Sequence, residues 1–419
     1  MRRFVPSLCF WAFAAVLQLG SPRLEAGDWP QILGPQRNGA AQNERLADRW
    51  PADGPTTLWQ RKIGRGFAGA AISGSRVVVF YRESDEEIVE ALELASGKSL
   101  WKSPFKARYR GDIFPEEDGP LCVPVIHGEQ VFVYGAGGDL HAMRLADGEP
   151  QWSRALYEEF RNAGDAIDYG YFGAGSSPIV VGDRLLVNVG GRGAGIVALA
   201  LSDGHTLWKK TDEGPSYSSP VETTFDGRPC VVFAARMNCV GVDPADGAVR
   251  FRFPFGVRGP TVNAASPVIV GEQLFVTGAY GNGAVLARMP DVAKPLWAGH
   301  DSLSCHYNTP LHVGGYLYGV HGRTDAGLPS LRCVELVTGK VVWTENDFGG
   351  ASMLLADDKL LAMKVSGELL LLAPSPEGFR KLAAAKVLAE PVRALPALSN
   401  GNLVVRDANT LKCLRMLGR

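Results

Sequence analysis

Five times in this chain a small residue is followed six positions on by Gly, and that Gly four positions on by a large aromatic. The copies are Ala91, Gly97 and Trp101; Ala142, Gly148 and Trp152; Ala198, Gly204 and Trp208; Gly241, Gly247 and Phe251; and Cys333, Gly339 and Trp343. A spacing this strict, recurring about every 45 residues, belongs to radial or stacked repeat architectures. It also warns that the most visible residues of the chain serve structure before chemistry.

A second signal runs out of phase with the first: a short apolar strand, a Gly or Asp turn, then another apolar strand. It recurs over residues 71–80, 124–133, 178–187, 220–233, 267–276, 310–318, 352–362 and 396–405. Between consecutive hairpins lies the small–Gly–aromatic unit or a worn copy of it. Each repeat therefore holds four strands, with the Gly at the turn between the third and the fourth because Gly accepts a positive φ. Four-stranded units repeated eight times predict an all-β, eight-bladed β-propeller. Trp59, Trp101, Trp152, Trp208, Phe251, Trp297 and Trp343 are expected to fill the gaps between blades. Trp59 sits in a fourth-strand pattern with no third strand before it, and the last repeat ends after its third strand. The N-terminal strand near Trp59 is thus expected to complete the C-terminal blade and remove a sheet edge.

Residues 1–26 read differently. Arg2 and Arg3 precede a mostly apolar run from Leu8 to Leu19, and Ala26 offers a small residue at the end. This predicts a signal peptide, an N-terminal extension over 27–56, one propeller domain over 57–419, and a soluble exported protein in the periplasm or outside the cell. The 43 basic and 44 acidic residues nearly cancel, which argues against nucleic acid or an anionic membrane as partner. Six Cys follow the apolar run, too few for a disulfide scaffold in so long a chain. Cys230 and Cys239 flank a hairpin turn, where they are either cross-strand partners or two buried thiols.

The small–Gly–aromatic unit resembles the tryptophan-docking repeat of the PQQ-like eight-bladed propellers, a superfamily with quinoprotein alcohol dehydrogenases and BamB-like envelope proteins. Asp28-Trp29-Pro30-Gln31 and Gly34-Pro35-Gln36-Arg37-Asn38-Gly39 resemble the start of secreted bacterial members. The resemblance implies two functions of different class. One is a non-catalytic platform for a protein or glycan partner, as in envelope assembly. The other is an enzyme, a PQQ- and Ca²⁺-dependent oxidoreductase or one acting on polysaccharide. The dehydrogenases hold their quinone with Ca²⁺-ligating Glu and Asn, a catalytic Asp, a stacking Trp and often adjacent Cys residues. This chain has no Cys-Cys pair, and its candidate oxygen ligands Asp112, Asp168 and Asn263 show no Ca²⁺-loop spacing. No catalytic or metal-binding residue is assigned, and no resident cofactor is expected under the first reading.

In a propeller the connections between blades open on the same face as the turns between second and third strands, and binding loops gather there. Two long connections, 106–121 and 155–177, carry Tyr109, Asp112, Asp168 and Tyr169 among other aromatics and carboxylates. Six basic residues fall near ends of second strands: Arg82, Arg192, Arg236, Arg323, Lys364 and Arg406. They define a candidate cationic ring for an acidic segment or an anionic glycan; the alternatives are pairing with the acidic loops and ordinary exposed turn residues. His306, Asn308 and His321 are expected near Arg323 and Asp325 at the channel mouth. There His306 is either a general base or part of a hydrogen-bonded wall.

Overall fold

The computed structural model describes residues 27–51, 53–109, 119–161, 172–259, 261–289 and 291–417. The expected signal peptide, Asp112, Asp168 and Tyr169 lie outside the described residues. Eight four-stranded sheets form the body, seven of them with their strands in chain order. Blade 1 consists of Ala71–Ser73, Arg76–Glu83, Glu86–Glu93 and Ser99–Lys106. Blades 2 to 7 repeat the pattern as far as Lys381–Lys386. The eighth blade takes Ala397–Ser399, Asn402–Arg406 and Thr410–Arg415 from one end of the chain and Thr56–Lys62 from the other. Trp59 lies opposite Cys413, so the ring closes by antiparallel pairing of its two ends.

Burial follows position in the blade. The second strand of blade 1 is apolar without alternation (Val77 to Tyr81 are all buried), because neighbouring blades cover both of its faces. The outer strand Ser99–Lys106 mixes exposed residues with Trp101 and Ser103, which point inward. The hydrophobic clusters therefore lie between blades, and the joints decide closure.

Each joint is built from the repeat. Ala91 faces Trp101, Ala142 faces Trp152 and Ala198 faces Trp208 across a ladder, so a small residue makes room for the ring. Each indole N–H then donates to a carbonyl of the following blade: Trp59 to Leu94 (2.7 Å), Trp101 to Leu145 (2.9 Å), Trp152 to Leu201 (2.9 Å) and Trp208 to Pro244 (3.0 Å). Trp297 and Trp343 do the same to Leu336 and Ser375, both at 2.8 Å. The repeat Gly receives the preceding blade's indole: a Cβ on Gly148 would sit 2.5 Å from Trp101. Positive φ was one reason for Gly there; this close approach is the second. Phe251 lacks an N–H, and it packs in one cluster with Met289 and Val292 of blade 5.

A further ladder joins blades at the loop-face ends of the inner strands. The Val123 N–H donates to Ser177 Oγ (2.8 Å), Ser177 N–H to Ser219 Oγ (3.0 Å), and Ser266 N–H to Thr309 Oγ1 (2.9 Å). Cys230 faces Thr223 and Cys239 faces Ala234, so these two are not cross-strand partners. All six described Cys are buried free thiols.

The N-terminal segment crosses the channel at its other end, the turn face. Trp29 exchanges backbone hydrogen bonds with Ile72 of blade 1, and the Pro30 carbonyl accepts from Ile126 of blade 2. Arg37 reaches up the axis and donates to the carbonyls of Ser177 (3.4 Å), Pro178 and Pro220 (2.9 Å). Leu355 of blade 7 bonds to Gly39 and Ala41, and Glu44 accepts from the amides of Asn400 and Gly401 in blade 8. Residues 28–47 are a plug tied to most of the ring.

Candidate functional site

The loop-face mouth of the channel holds a cavity of about 170 Å³. Its floor includes Ile32 of the plug. Its walls come from the connections between blades: Phe67, Leu121, Val123, Phe172, Gly175, Tyr217, Val262, Ala264, Tyr307, Arg393 and Leu395. One rule places most of them. Leu121, Gly175, Tyr217, Ala264, Tyr307 and Arg393 each stand three residues before the Pro that opens an inner strand, at 124, 178, 220, 267, 310 and 396. That Pro biases the residue before it to extended backbone, and the chain enters the inner strand from the axis.

The rings are held by their neighbours. Tyr217 Oη accepts the Phe172 N–H at 3.0 Å, and the two rings meet edge-on with centroids 6.1 Å apart. Tyr307 stacks on His306 at 3.6 Å. The Arg393 guanidinium lies over the Phe67 ring at 5.3 Å. Arg393 is the one charged residue among these lining residues.

Beside the funnel, His306 is buried and bonded on both ring nitrogens, Nε2 to Tyr280 Oη (2.7 Å) and Nδ1 to Thr324 Oγ1 (3.2 Å). Burial pushes its pKa down to about 4, although the nearby Asp325 opposes the shift. A neutral imidazole with both nitrogens committed belongs to the wall. Asn308 bonds the amide and the carbonyl of Val320, both at 3.1 Å. His321 Nδ1 accepts from Ser304 N–H (3.0 Å), and burial lowers it to about 4 as well.

The cationic ring does not form. Arg82, Arg236 and Arg406 are almost fully buried. Arg82 donates to the carbonyls of Ser84 (3.1 Å) and Tyr109 (2.5 Å), and Arg236 to those of Val257 (2.8 Å) and Gly259 (2.7 Å). Arg406 donates to Asp407 (3.2 Å) and Gly64 (2.7 Å). Loop carbonyls left without strand partners need donors, and these guanidinium groups supply them. Arg323 grips Asp325 (2.9 and 2.7 Å) and lies over the Tyr280 ring, while Lys364 pairs with Glu368 (3.2 Å). Arg192 stays exposed at its hairpin tip.

The described lining does not suit a Ca²⁺-held quinone. A Ca²⁺ ion takes about six to eight oxygen ligands, and the lining side chains offer two phenols and no carboxylate or amide. Asn263 is buried, with Nδ2 bonded to the Ala235 carbonyl (2.8 Å) and Oδ1 to Asn282 (2.7 Å). Among the described residues no group of three or more His, Cys, Asp or Glu converges. No helix among them is long and apolar enough to cross a membrane.

A family model described as outer membrane protein assembly factor BamB matches residues 84–345, more than half of the chain. The chain belongs to this family of PQQ-like propellers. Its BamB-family fold is similar to BamB from Moraxella catarrhalis, with a TM-score of 0.62, 14% identity, and coverage of 86% of this chain and 99% of that one. It is also similar to the quinohemoprotein alcohol dehydrogenase of Comamonas testosteroni, with a TM-score of 0.67, 12% identity, and coverage of 94% and 81%. A europium-containing methanol dehydrogenase gives a TM-score of 0.56 at 11% identity, with coverage of 91% and 90%. At such identities the likeness concerns the fold, which hosts unrelated functions. No curated protein sequence is matched by the chain.

Proposed function

We propose that this BamB-family propeller is an exported, non-catalytic platform that holds a partner protein of the cell envelope at its loop face. The blind, aromatic funnel is the observation that carries this reading. Phe67, Phe172, Tyr217 and Tyr307 converge on one axis, and the plug shuts the far end. A cavity that is concave, apolar and edged by few polar groups suits the anchor of a partner. A glycan is less well served, because the polar groups of the lining reduce to two phenols and one guanidinium. An anionic glycan loses its argument with the burial of Arg82, Arg236 and Arg406. The matched family is described as an outer membrane protein assembly factor, which supports a partner in the envelope. Residues 1–26, read as a signal peptide, supply the export.

The test compares the two faces. Leu328 (69% exposed) projects from a loop of blade 6 on the loop face, and Val337 (60% exposed) from a turn on the opposite face. A photo-crosslinking residue at each position, in protein exposed to a bacterial envelope fraction, should give adducts from 328 alone. Adducts from both positions or from neither overturn the reading. The competing oxidoreductase is tested by melting with PQQ plus Ca²⁺. A ligand that binds the native state raises the melting temperature by mass action, so a dose-dependent rise would favour the enzyme.

A further inference from the structure

We propose that the turn-face end of the channel takes an extended peptide segment, held by its main chain against the inner strands of blades 3, 4 and 5. The plug closes the channel but leaves a chamber of about 420 Å³ between itself and those strands. Gln31, Gln36 and Asn38 of the plug stand on one side. The strands Ile179–Val181, Val221–Phe225 and Val268–Val270 supply the other. This site lies at the opposite end of the channel from the platform face and goes beyond that reading.

The ladders show which groups face the chamber. Each inner strand meets its neighbour across a two-residue turn. The residue flanking that turn bonds to the neighbour, and the one before it turns its N–H and C=O to the axis. In blades 1, 2 and 7 that residue is Ile72, Ile126 and Leu355. The plug bonds all three. Their N–H groups donate to the carbonyls of Trp29, Pro30 and Gly39, each at 2.8 Å. Val180, Thr224 and Ile269 hold the same place in blades 3, 4 and 5, and all three line the chamber. Among the described residues, no backbone group outside their own sheets bonds to them. Donor–acceptor pairs along open inner strands are what strand addition uses.

The plug identifies the occupant. Trp29 serves blade 1 and the next residue, Pro30, serves blade 2, so one main chain bonds neighbouring blades with consecutive residues. The chamber falls within the roughly 300–1,000 Å³ that small ligands fill, room for a few residues of chain. Its side chains are mixed, with Val221 and Pro267 beside Glu222 and Thr223. The main chain therefore carries recognition, and sequence preference is weak. A proline at a bonded position would lack the donor.

Amide hydrogen exchange, followed residue by residue by NMR, tests this. In the free protein the amides of Ile72, Ile126 and Leu355 should exchange at least about tenfold more slowly than those of Val180, Thr224 and Ile269. The acetylated amide Ser-Val-Thr-Val-Thr-Ser, at about ten times its dissociation constant, should slow the second set about tenfold. The same peptide N-methylated at its four central residues should have no effect. Thr224→Pro removes one outward N–H and no ladder bond, so it should weaken binding about fivefold. Its melting temperature checks the fold, and the N-methylated peptide decides if that variant does not fold. Equal protection of both sets in the free protein would show the strands already covered and end the proposal. Slowing by the N-methylated peptide overturns main-chain pairing. Slowing by maltotriose and by no peptide would assign the chamber to a glycan and overturn the peptide. No slowing by any of them ends the proposal. Val337 does not line the chamber, so crosslinks from 328 and 337 decide separately whether the loop face is a platform.

Discussion

The two ends of the channel solve opposite problems with the same kind of side chain. At the plug, Arg37 is buried and gives its protons to carbonyls of Ser177, Pro178 and Pro220. Burial pushes its guanidinium down to about 9, Glu222 opposing, so it remains charged at neutral pH. At the funnel, Arg393 is exposed on the rim of a cavity lined by rings. One end is closed by satisfied polar groups, and the other is an apolar hollow. A buried charge with its bonds made is rigid and has nothing left for a ligand. The binding proposed for the platform therefore falls at the hollow end, away from the plug.

Four experiments would break or sharpen that contrast. The largest effect should come from Arg37→Ala, which strands three carbonyls and opens the plug. A loss of about 4 kcal/mol in urea unfolding is expected, and a loss below about 1 kcal/mol would mean that the plug does not hold the ring. Next, Gly148→Ala on the turn face combines left-handed strain (φ +75) with a Cβ against Trp101. It should cost about 3 kcal/mol. Gly322→Ala on the loop face (φ +103) has its nearest neighbour at 3.6 Å and should cost about 1 kcal/mol. Equal losses would show the two faces to be equally tight.

The third comparison lies within the loop face. Arg236→Gln should cost about 2 kcal/mol by leaving two carbonyls unpaired, while exposed Arg192→Gln should stay within about 0.5 kcal/mol. Parallel changes in both melting curves would restore the cationic ring. The smallest effect is a pH dependence. The pKa of His306 falls from 6.5 to about 4 on folding, so between those values the unfolded chain binds a proton that the folded chain does not. Its contribution is present above pH 6.5 and is lost as pH falls. From pH 7 to 5 the natural protein should lose about 1–2 kcal/mol more than His306→Gln. Identical slopes in denaturant titrations would contradict a neutral, buried imidazole.

Much of the architecture was legible because repetition multiplies weak signals. A single Gly six residues after a small residue and four before an aromatic neither proves nor excludes anything. Ala91 with Trp101, Ala142 with Trp152 and Ala198 with Trp208 together establish period, strand count and closure near Trp59. The funnel was less legible, for the opposite reason. Tyr217, Tyr307 and Arg393 share a position relative to an inner-strand Pro but no residue type, so no motif drew attention to them. The six basic residues did share a type and a place in the repeat, and half of them proved to be buried. A Pro–3 alignment of the repeats would have found the funnel, since those six connection positions all face the axis.

What the amino-acid sequence alone determined is everything that depends on local rules repeated along the chain. Four strands per unit, eight units, a Gly wherever a ring packs against backbone, and closure by the first strand all follow from spacing. What only the tertiary structure decided is which polar groups are consumed internally. Whether Arg406 meets a ligand or the carbonyl of Gly64, more than 300 residues away, depends on the ring closing. The same holds for Arg37, which becomes a plug only once blades 3 and 4 stand around it. Hydrogen-bond satisfaction is a property of the assembled interior, and the sequence names the donors without naming their acceptors.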